Sequence, residues 1–192
     1  MTRLWWVRHA PTHSKAFAGW RDIPADLSDT AAFTRLNAYL PSDALLVSSD
    51  LVRATATADA LGAGRPRLPH RADLREFHFG DWDGMTFSDV SARWPDLSRE
   101  YWEEPGHIAP PNGESWIAAD ARITSSVVDL LASHPAPDII IVAHFGAILT
   151  QVARGLGITP YNALSHAIDN LSVTRIEIQD DRWTAPLINH LP

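Results

Sequence analysis

Three short runs of apolar residues have the pattern of strands that are buried on both faces. They cover residues 4–7, 44–47 and 139–142, and polar residues follow each of them. Continuous apolar runs of this length are typical of the inner strands of a parallel sheet, which helices cover on both sides. The sequence therefore predicts three buried strands whose ends are marked by polar side chains.

Helix signals lie between and after these runs. Ser28 is predicted to cap a helix that carries Phe33, Leu36 and Leu40 on one face. Residues 50–61 are rich in alanine and favour a short helix. Residues 86–94 favour another short helix, which Pro95 would break. A further helix is expected from about residue 147 to 156. A longer helix is expected after Asn112, with one apolar face that contains Ile123, Val127, Leu130 and Leu131.

The last part of the chain predicts a strand pair. Residues 171–178 alternate between apolar and polar, and residues 183–188 are able to pair with them as a hairpin at one end of the sheet. Strands that alternate with helices favour a three-layer α/β/α sandwich with a mostly parallel central sheet and an antiparallel edge strand. Without a linker-like segment, residues 1–192 are expected to form a single domain.

Composition narrows the classes of function. The 192 residues are 45% hydrophobic and 20% charged, with a net charge of −7, which argues against a general nucleic-acid or membrane-surface binder. Cysteine is absent, so disulfides and thiolate metal sites are excluded, and a cytoplasmic location is expected. No apolar run approaches the roughly 18 residues of a membrane span.

Polar clusters follow all three apolar runs. Arg8 and His9 follow the first, Arg53 lies in the helix after the second, and His144 follows the third. The carboxyl ends of parallel strands meet at one edge of a sheet, where ligands bind. Two arginines, two histidines and nearby helix N-termini suit a dianion such as a phosphoryl group. The sequence thus predicts that the site binds a phosphoryl group, and we expect a small phosphorylated metabolite as the partner, although phosphoproteins offer the same group.

The same cluster suggests how phosphoryl transfer would proceed. A neutral histidine ring is able to attack phosphorus and carry a covalent intermediate. A leaving alcohol also needs a proton, and Glu76 lies in an aromatic segment where burial would raise its pKa. From the residues alone, Asp81 and Asp83 compete with Glu76 for this role.

Six motifs in order resemble the histidine phosphatase superfamily, in its phosphoglycerate-mutase-like branch 1. They are VRHAPT, SSDLVRATATADAL, LREFHFGDWDG, PPNGESW, IIIVAHFGAI and DNLSVTRIEI, and they extend over nearly the whole chain. The resemblance implies a phosphoglycerate mutase-like fold and a metal-independent phosphatase without a cofactor. It implies His9 as the phosphorylated nucleophile, Arg8, Arg53 and His144 as the phosphate pocket, and Glu76 as proton donor and base.

Departures from the family pattern concern the surroundings of the phosphate. Ala10 and Pro11 replace a glycine and a glutamate, Lys15 replaces an asparagine, and Phe145 replaces a glycine. We expect substrate contacts from the following residues besides the phosphate pocket: Thr12, Ser14, Trp20, Arg21 and Phe145. The shortness of the chain favours a phosphatase over a mutase, whose members typically carry inserted segments.

Three other functions compete with the phosphatase. A mutase would use the same residues, and a phospho-ligand binding module would bind without turnover. A metal hydrolase built on His9, His144, Glu76 and Asp50 lacks the tight ligand spacing of such enzymes. The sequence is compatible with a monomer and with a homodimer.

Overall fold

A five-stranded sheet forms the centre of the molecule in the computed structural model, which describes residues 1–62 and 64–192. Its strands in chain order are β1 (Thr2–Arg8), β2 (Leu45–Ser48), β3 (Asp138–Ala143), β4 (Val173–Gln179) and β5 (Arg182–His190). Their spatial order is β2-β3-β1-β4-β5. The three predicted buried strands are therefore neighbours at one side of the sheet, and β2 forms its edge.

The pairing confirms a mostly parallel sheet. Strand β3 pairs parallel with both β2 and β1, whereas β4 pairs antiparallel with β1. Strand β5 closes the edge by antiparallel pairing with β4, as the predicted hairpin requires. Strand β4 alone among these five runs against the others, and it lies one position inside the edge.

Helices cover both faces of the sheet, which confirms the three layers. They are α1 (Thr30–Tyr39), α2 (Val52–Ala60), α3 (Phe87–Arg93), α4 (Pro95–Glu103), α5 (Trp116–Ser133), α6 (Phe145–Leu156) and α7 (Pro160–Ala163). Helices α1 and α2 pack on one face, where Phe33 and Ala54 join Val7 and Ile140 in one apolar cluster. Helices α5 and α6 pack on the other face. The alternation of side chains along each inner strand supplies both cores.

Several predicted helix starts were wrong by a few residues. Asp29, not Ser28, caps α1, and Ser115, not Asn112, caps α5. Asn112 instead adopts a left-handed conformation with φ of 57°. Helix α6 begins at Phe145, directly after His144, so the N-terminal amides of this helix lie closer to the predicted site than expected.

Helix α4 was not predicted. Pro95 was predicted to end the helix over residues 86–94, but it also occupies the first turn of α4. Proline is favoured there because the first amides of a helix have no partner within the helix. Together with α3, this helix forms a third apolar cluster around Trp82, Val90 and Tyr101. The cluster lies in the long segment between α2 and α5 that borders the candidate site.

Candidate active site

The ends of β1 and β3 bring two histidine rings together. His9 follows β1, His144 follows β3, and their ring centroids are 5.1 Å apart. Helix α2, which follows β2, contributes Arg53. Burial lowers the pKa of both imidazoles, and the positive charges of Arg53 and Arg8 lower it further.

Contacts of His9 fix the ring in one tautomer. The ring is buried, and its Nδ1 lies 2.8 Å from the carbonyl oxygen of Ala10, so Nδ1 carries the hydrogen and donates it. Burial, with smaller contributions from Arg53 and Arg8, lowers the pKa of His9 to about 3. The ring is therefore neutral near pH 7, and Nε2 keeps its lone pair.

Arg53 is fully buried and is held by backbone carbonyls. Its guanidinium donates to the carbonyl oxygens of Arg21 at 2.9 Å, Ala18 at 3.1 Å and Gly19 at 2.6 Å. Within residues 1–62 and 64–192, its Nε has no partner. Because these partners are carbonyls, the positive charge of Arg53 is not neutralised by them and remains available to an anion.

Arg8 and His144 also keep free donors. Arg8 donates through one terminal nitrogen to the carbonyl of Ile168 at 2.6 Å, and its guanidinium carbon lies 5.5 Å from the centre of the Phe145 ring. The Nε of Arg8 is buried without a partner among the described residues. His144 is fully buried, and neither of its ring nitrogens has a partner among those residues. Burial lowers the pKa of His144, so its neutral ring has one N–H donor. Unpartnered buried donors are costly, and a bound anion would satisfy this N–H and the Nε of Arg8.

The carboxylate of Glu76 lies at the N-terminus of α6. It accepts hydrogen bonds from the backbone amides of Phe77 at 3.0 Å, Gly146 at 3.1 Å and Ala147 at 3.2 Å. Burial raises the pKa of Glu76, although these bonds and the charges of Arg53 and Arg8 act in the opposite direction. Glu76 is thus a buried carboxyl group that retains a proton more readily than an exposed glutamate.

Residue 146 must be small to leave this carboxylate in place. A Cβ atom added at Gly146 would lie 2.6 Å from Oε1 of Glu76 and 3.1 Å from the ring of Phe77. The absence of a side chain therefore permits the close approach between the start of α6 and Glu76.

Two side chains hold the main chain of Glu76. Its carbonyl oxygen accepts from Nε1 of Trp20 at 2.8 Å and from Arg122 at 3.2 Å. Arg122 in turn forms an ion pair with Glu114. Trp20 is also a predicted substrate contact, and that contact stays a prediction. Arg122 was missed, because a single arginine inside a long helix carries no local signal.

The other predicted site residues lie farther out or are already engaged. Arg21 is exposed and lies 3.6 Å from Asp83, and Ser14 is exposed and bonds to the backbone of Ala16. Thr12 is partly buried in the loop after His9. Their contacts with substrate stay predictions.

The competing acids have other partners. Asp81 is exposed and accepts from Asn112 at 3.0 Å, and Asp83 accepts from the amides of Gly19 and Arg21. Asp50 forms an ion pair with Arg75 at 2.6 Å. No group of three or more histidine, aspartate or glutamate side chains is placed to hold a metal ion in the part of the chain that the structure describes.

Comparisons with known proteins agree with the motifs. The model of the histidine phosphatase superfamily (branch 1) matches residues 4–190. A glucosyl-3-phosphoglycerate phosphatase of Mycobacterium tuberculosis is 43% identical over 114 residues, which are 54% of this chain and 50% of that protein. The chain therefore spans about half the length of this relative.

Two further likenesses extend over almost the whole chain. An adenosylcobalamin/alpha-ribazole phosphatase of Escherichia coli is 26% identical over 195 residues, covering 97% of this chain and 95% of that protein. The solved structure of Bacillus stearothermophilus YhfR superposes with a TM-score of 0.90 at 25% identity, covering 100% and 98% of the two chains. Within the described residues, no helix is long and apolar enough to cross a membrane.

Proposed function

Because the chain belongs to the histidine phosphatase superfamily (branch 1), we propose that it hydrolyses small phosphomonoesters through a phosphohistidine intermediate on His9. One observation carries the proposal. A neutral imidazole with a free Nε2 lies among buried donors of Arg8, Arg53 and His144 that lack partners within the described residues. A phosphoryl group would satisfy those donors and present phosphorus to Nε2.

In the first step, Nε2 of His9 attacks phosphorus and forms the N–P bond. The P–O bond to the substrate alcohol breaks, and Glu76 gives its proton to the leaving oxygen. Arg8, Arg53 and His144 hold the three equatorial oxygens, where charge accumulates in the transition state. The raised pKa of Glu76 supports its role as the acid.

In the second step, water replaces the alcohol. Glu76, now a carboxylate, takes a proton from this water as the oxygen attacks phosphorus. The N–P bond breaks, and inorganic phosphate and neutral His9 are released. The α6 amides that donate to Glu76 stabilise its charged form between the two steps. No metal ion is required by this scheme.

A test is phosphate release from p-nitrophenyl phosphate in the presence of EDTA. We expect turnover by the unaltered protein and its loss in His9→Ala. His134→Ala is the matched control, because His134 caps the C-terminal end of α5, away from the site. Trapping with labelled substrate, followed by alkaline work-up, should show label on His9. Wild-type turnover in His9→Ala would refute the proposal.

Other outcomes would favour the remaining functions. Binding of phosphate without any release would indicate a binding module, and isomerisation stimulated by a bisphosphate would indicate a mutase. We further propose that residues 1–192 act as one catalytic domain in the cytoplasm, with a small phosphorylated metabolite as the substrate.

A further inference from the structure

An apolar cleft begins at Glu76. Its walls include Phe77, Trp102, Phe145 and Leu164, and Glu76 is the one ionisable residue among the described residues that line it. The cleft contains about 260 Å³ of empty volume, part of it open to solvent. An adjoining cleft of about 210 Å³ shares Phe77, Trp102 and Leu164 and continues to Tyr101. Helix α4 and Leu164, which directly follows α7, thus contribute an apolar surface beside the proposed acid.

The position of Glu76 determines which part of a substrate reaches this surface. In the proposed function, Glu76 gives its proton to the leaving oxygen, so the carbon atom attached to that oxygen must lie close to the carboxyl group. Phe145 lies between the two regions, because its ring contacts the guanidinium of Arg8 and also lines the cleft. The leaving group therefore extends from the phosphate pocket along the aromatic wall.

The chemistry of the cleft disfavours a polyhydroxylated leaving group. Hydroxyl groups that lose water against such walls would find few hydrogen-bond partners, and each unpaired group costs about tenfold in binding. The walls of the cleft include the aromatic rings of Phe77, Trp102 and Phe145. A flat ring or a thin chain fits between the walls better than a branched sugar.

A second acidic group on the substrate would also find little attraction. Arg75 and Arg122, which flank Trp20 next to Glu76, already pair with Asp50 and Glu114. The exposed Arg21 is engaged with Asp83, as described above. Arg8, Arg53 and His144 thus hold the unpaired donors of the phosphate pocket. In the clefts, the unpaired buried donors among the described residues are Nε1 of Trp102 and the hydroxyl of Tyr101, and the rest of the lining offers mainly apolar contact.

We propose that the preferred substrates are monoesters whose alcohol carries an aromatic or other flat apolar group, and that Phe145, Trp102 and Leu164 determine this preference. The inference rests on the proposed function. It concerns the organic part of the substrate, which the shared phosphate pocket does not distinguish.

The test compares benzyl phosphate with glycerol 1-phosphate. Both esters release a primary alcohol, so the ratio of their kcat/KM values reports mainly on contacts with the organic part. We expect benzyl phosphate to be favoured by about tenfold to a hundredfold, as burial of one ring predicts. The expected difference lies largely in KM.

Leu164→Asn changes the wall without touching the proposed catalytic groups. We expect it to lower kcat/KM for benzyl phosphate by about tenfold and to leave glycerol 1-phosphate nearly unaffected. Leu156→Asn is the matched control, because Leu156 is exposed at the end of α6, and it should retain the wild-type ratio. A larger loss on glycerol 1-phosphate than on benzyl phosphate would contradict the assignment of Leu164.

The wild-type ratio decides the question even if the variant does not fold. Equal kcat/KM values, or a preference for glycerol 1-phosphate, would overturn the inference. If turnover of p-nitrophenyl phosphate still depends on His9 in that case, the proposed function stands. If no phosphate is released from any of the three esters, both the proposed function and this inference fall.

Discussion

Replacing Glu76 with glutamine separates proton donation from the other parts of the proposed mechanism. Glutamine has the same shape, and its oxygen can keep the bonds from the amides of Phe77 and Ala147. Its NH₂ group then faces the amide of Gly146, so one of the three accepted bonds is lost. This loss costs about 1–3 kcal/mol, and the removal of a buried charge offsets part of it.

The rate effect depends on the leaving group. General acid catalysis contributes about 10² to 10⁴ in rate, which corresponds to about 3–5 kcal/mol. Glu76→Gln should lose this factor on benzyl phosphate, whose alkoxide is a poor leaving group. The leaving group of p-nitrophenyl phosphate needs no proton. With this ester, Glu76→Gln should lower the rate of phosphoryl transfer to His9 by less than about tenfold.

Single-turnover kinetics with both esters measure this difference. Glu100→Gln on α4 is the matched control, because Glu100 is exposed, and it should leave both rates unchanged. Equal losses of Glu76→Gln on both esters would refute the role of Glu76 as the proton donor. They would indicate instead that Glu76 only shapes the start of α6.

The difference in stability between Glu76→Gln and wild type should depend on pH. The pKa of Glu76 is raised in the folded protein above its ordinary value of 4.5, so its stabilising effect is full below that value and is lost as the pH rises through the raised pKa. Glutamine imitates the protonated form and does not titrate. The free energy of unfolding of Glu76→Gln, relative to wild type, should therefore increase from pH 4 to pH 8 in urea titrations.

Three further predictions concern the same site. Gly146→Ala should lower kcat on benzyl phosphate by about tenfold, because the new Cβ displaces the carboxylate of Glu76. The free energy of unfolding should fall by about 1–2 kcal/mol, because the amide bonds that Glu76 loses outweigh the preference of a helix for alanine over glycine. An unchanged kcat would contradict the close approach. The pKa of His9 is lowered from 6.5 to about 3, so its stabilising effect is present above pH 6.5 and is lost as the pH falls. Between pH 7.5 and pH 5, wild type should lose about 2 kcal/mol more in urea unfolding than His9→Gln, and parallel curves would contradict the low pKa. Inorganic phosphate at a hundred times its Kd should stabilise wild type by about 2.7 kcal/mol and raise Tm by about 5–10 °C, whereas Arg53→Met should show little rise at the same concentration; an equal rise in both would exclude Arg53 from the phosphate pocket.

Strong local patterns explain what could be predicted from the sequence. The apolar runs that became β1, β2 and β3 are short, continuous and followed by charged or polar residues, so both the strands and the edge at which the polar residues meet followed from them. The family motifs then distinguished Glu76 from Asp81 and Asp83. The buried position of Glu76 and the other partners of the two aspartates agree with that choice.

The remaining features depend on contacts between distant segments. Pro95 is compatible with a helix start as well as a helix end, and Asn112 and Ser115 are both good caps, so local preference alone did not decide. Trp20 and Arg122 are 102 positions apart, yet both donate to the carbonyl of Glu76. Such a pair becomes visible only after the loops have folded against α5.

The attachment of His9 to the last third of the chain has a consequence for biosynthesis. Arg8 bonds to the carbonyl of Ile168, and Asn170 donates to the carbonyl of His9, across separations of 160 and 161 residues. Strand β1 leaves the ribosome long before its neighbours β3 and β4 exist, so it must remain unpaired during most of translation. Closing such long loops is slow, and a hydrophobic strand without a partner is prone to aggregation. A nascent chain that stalls before residue 168 would therefore expose Trp5 and Trp6 and would depend on chaperones. Once the segment after residue 168 has left the ribosome, β4 can pair with β1, and Ile168 and Asn170 can hold Arg8 and His9 in place.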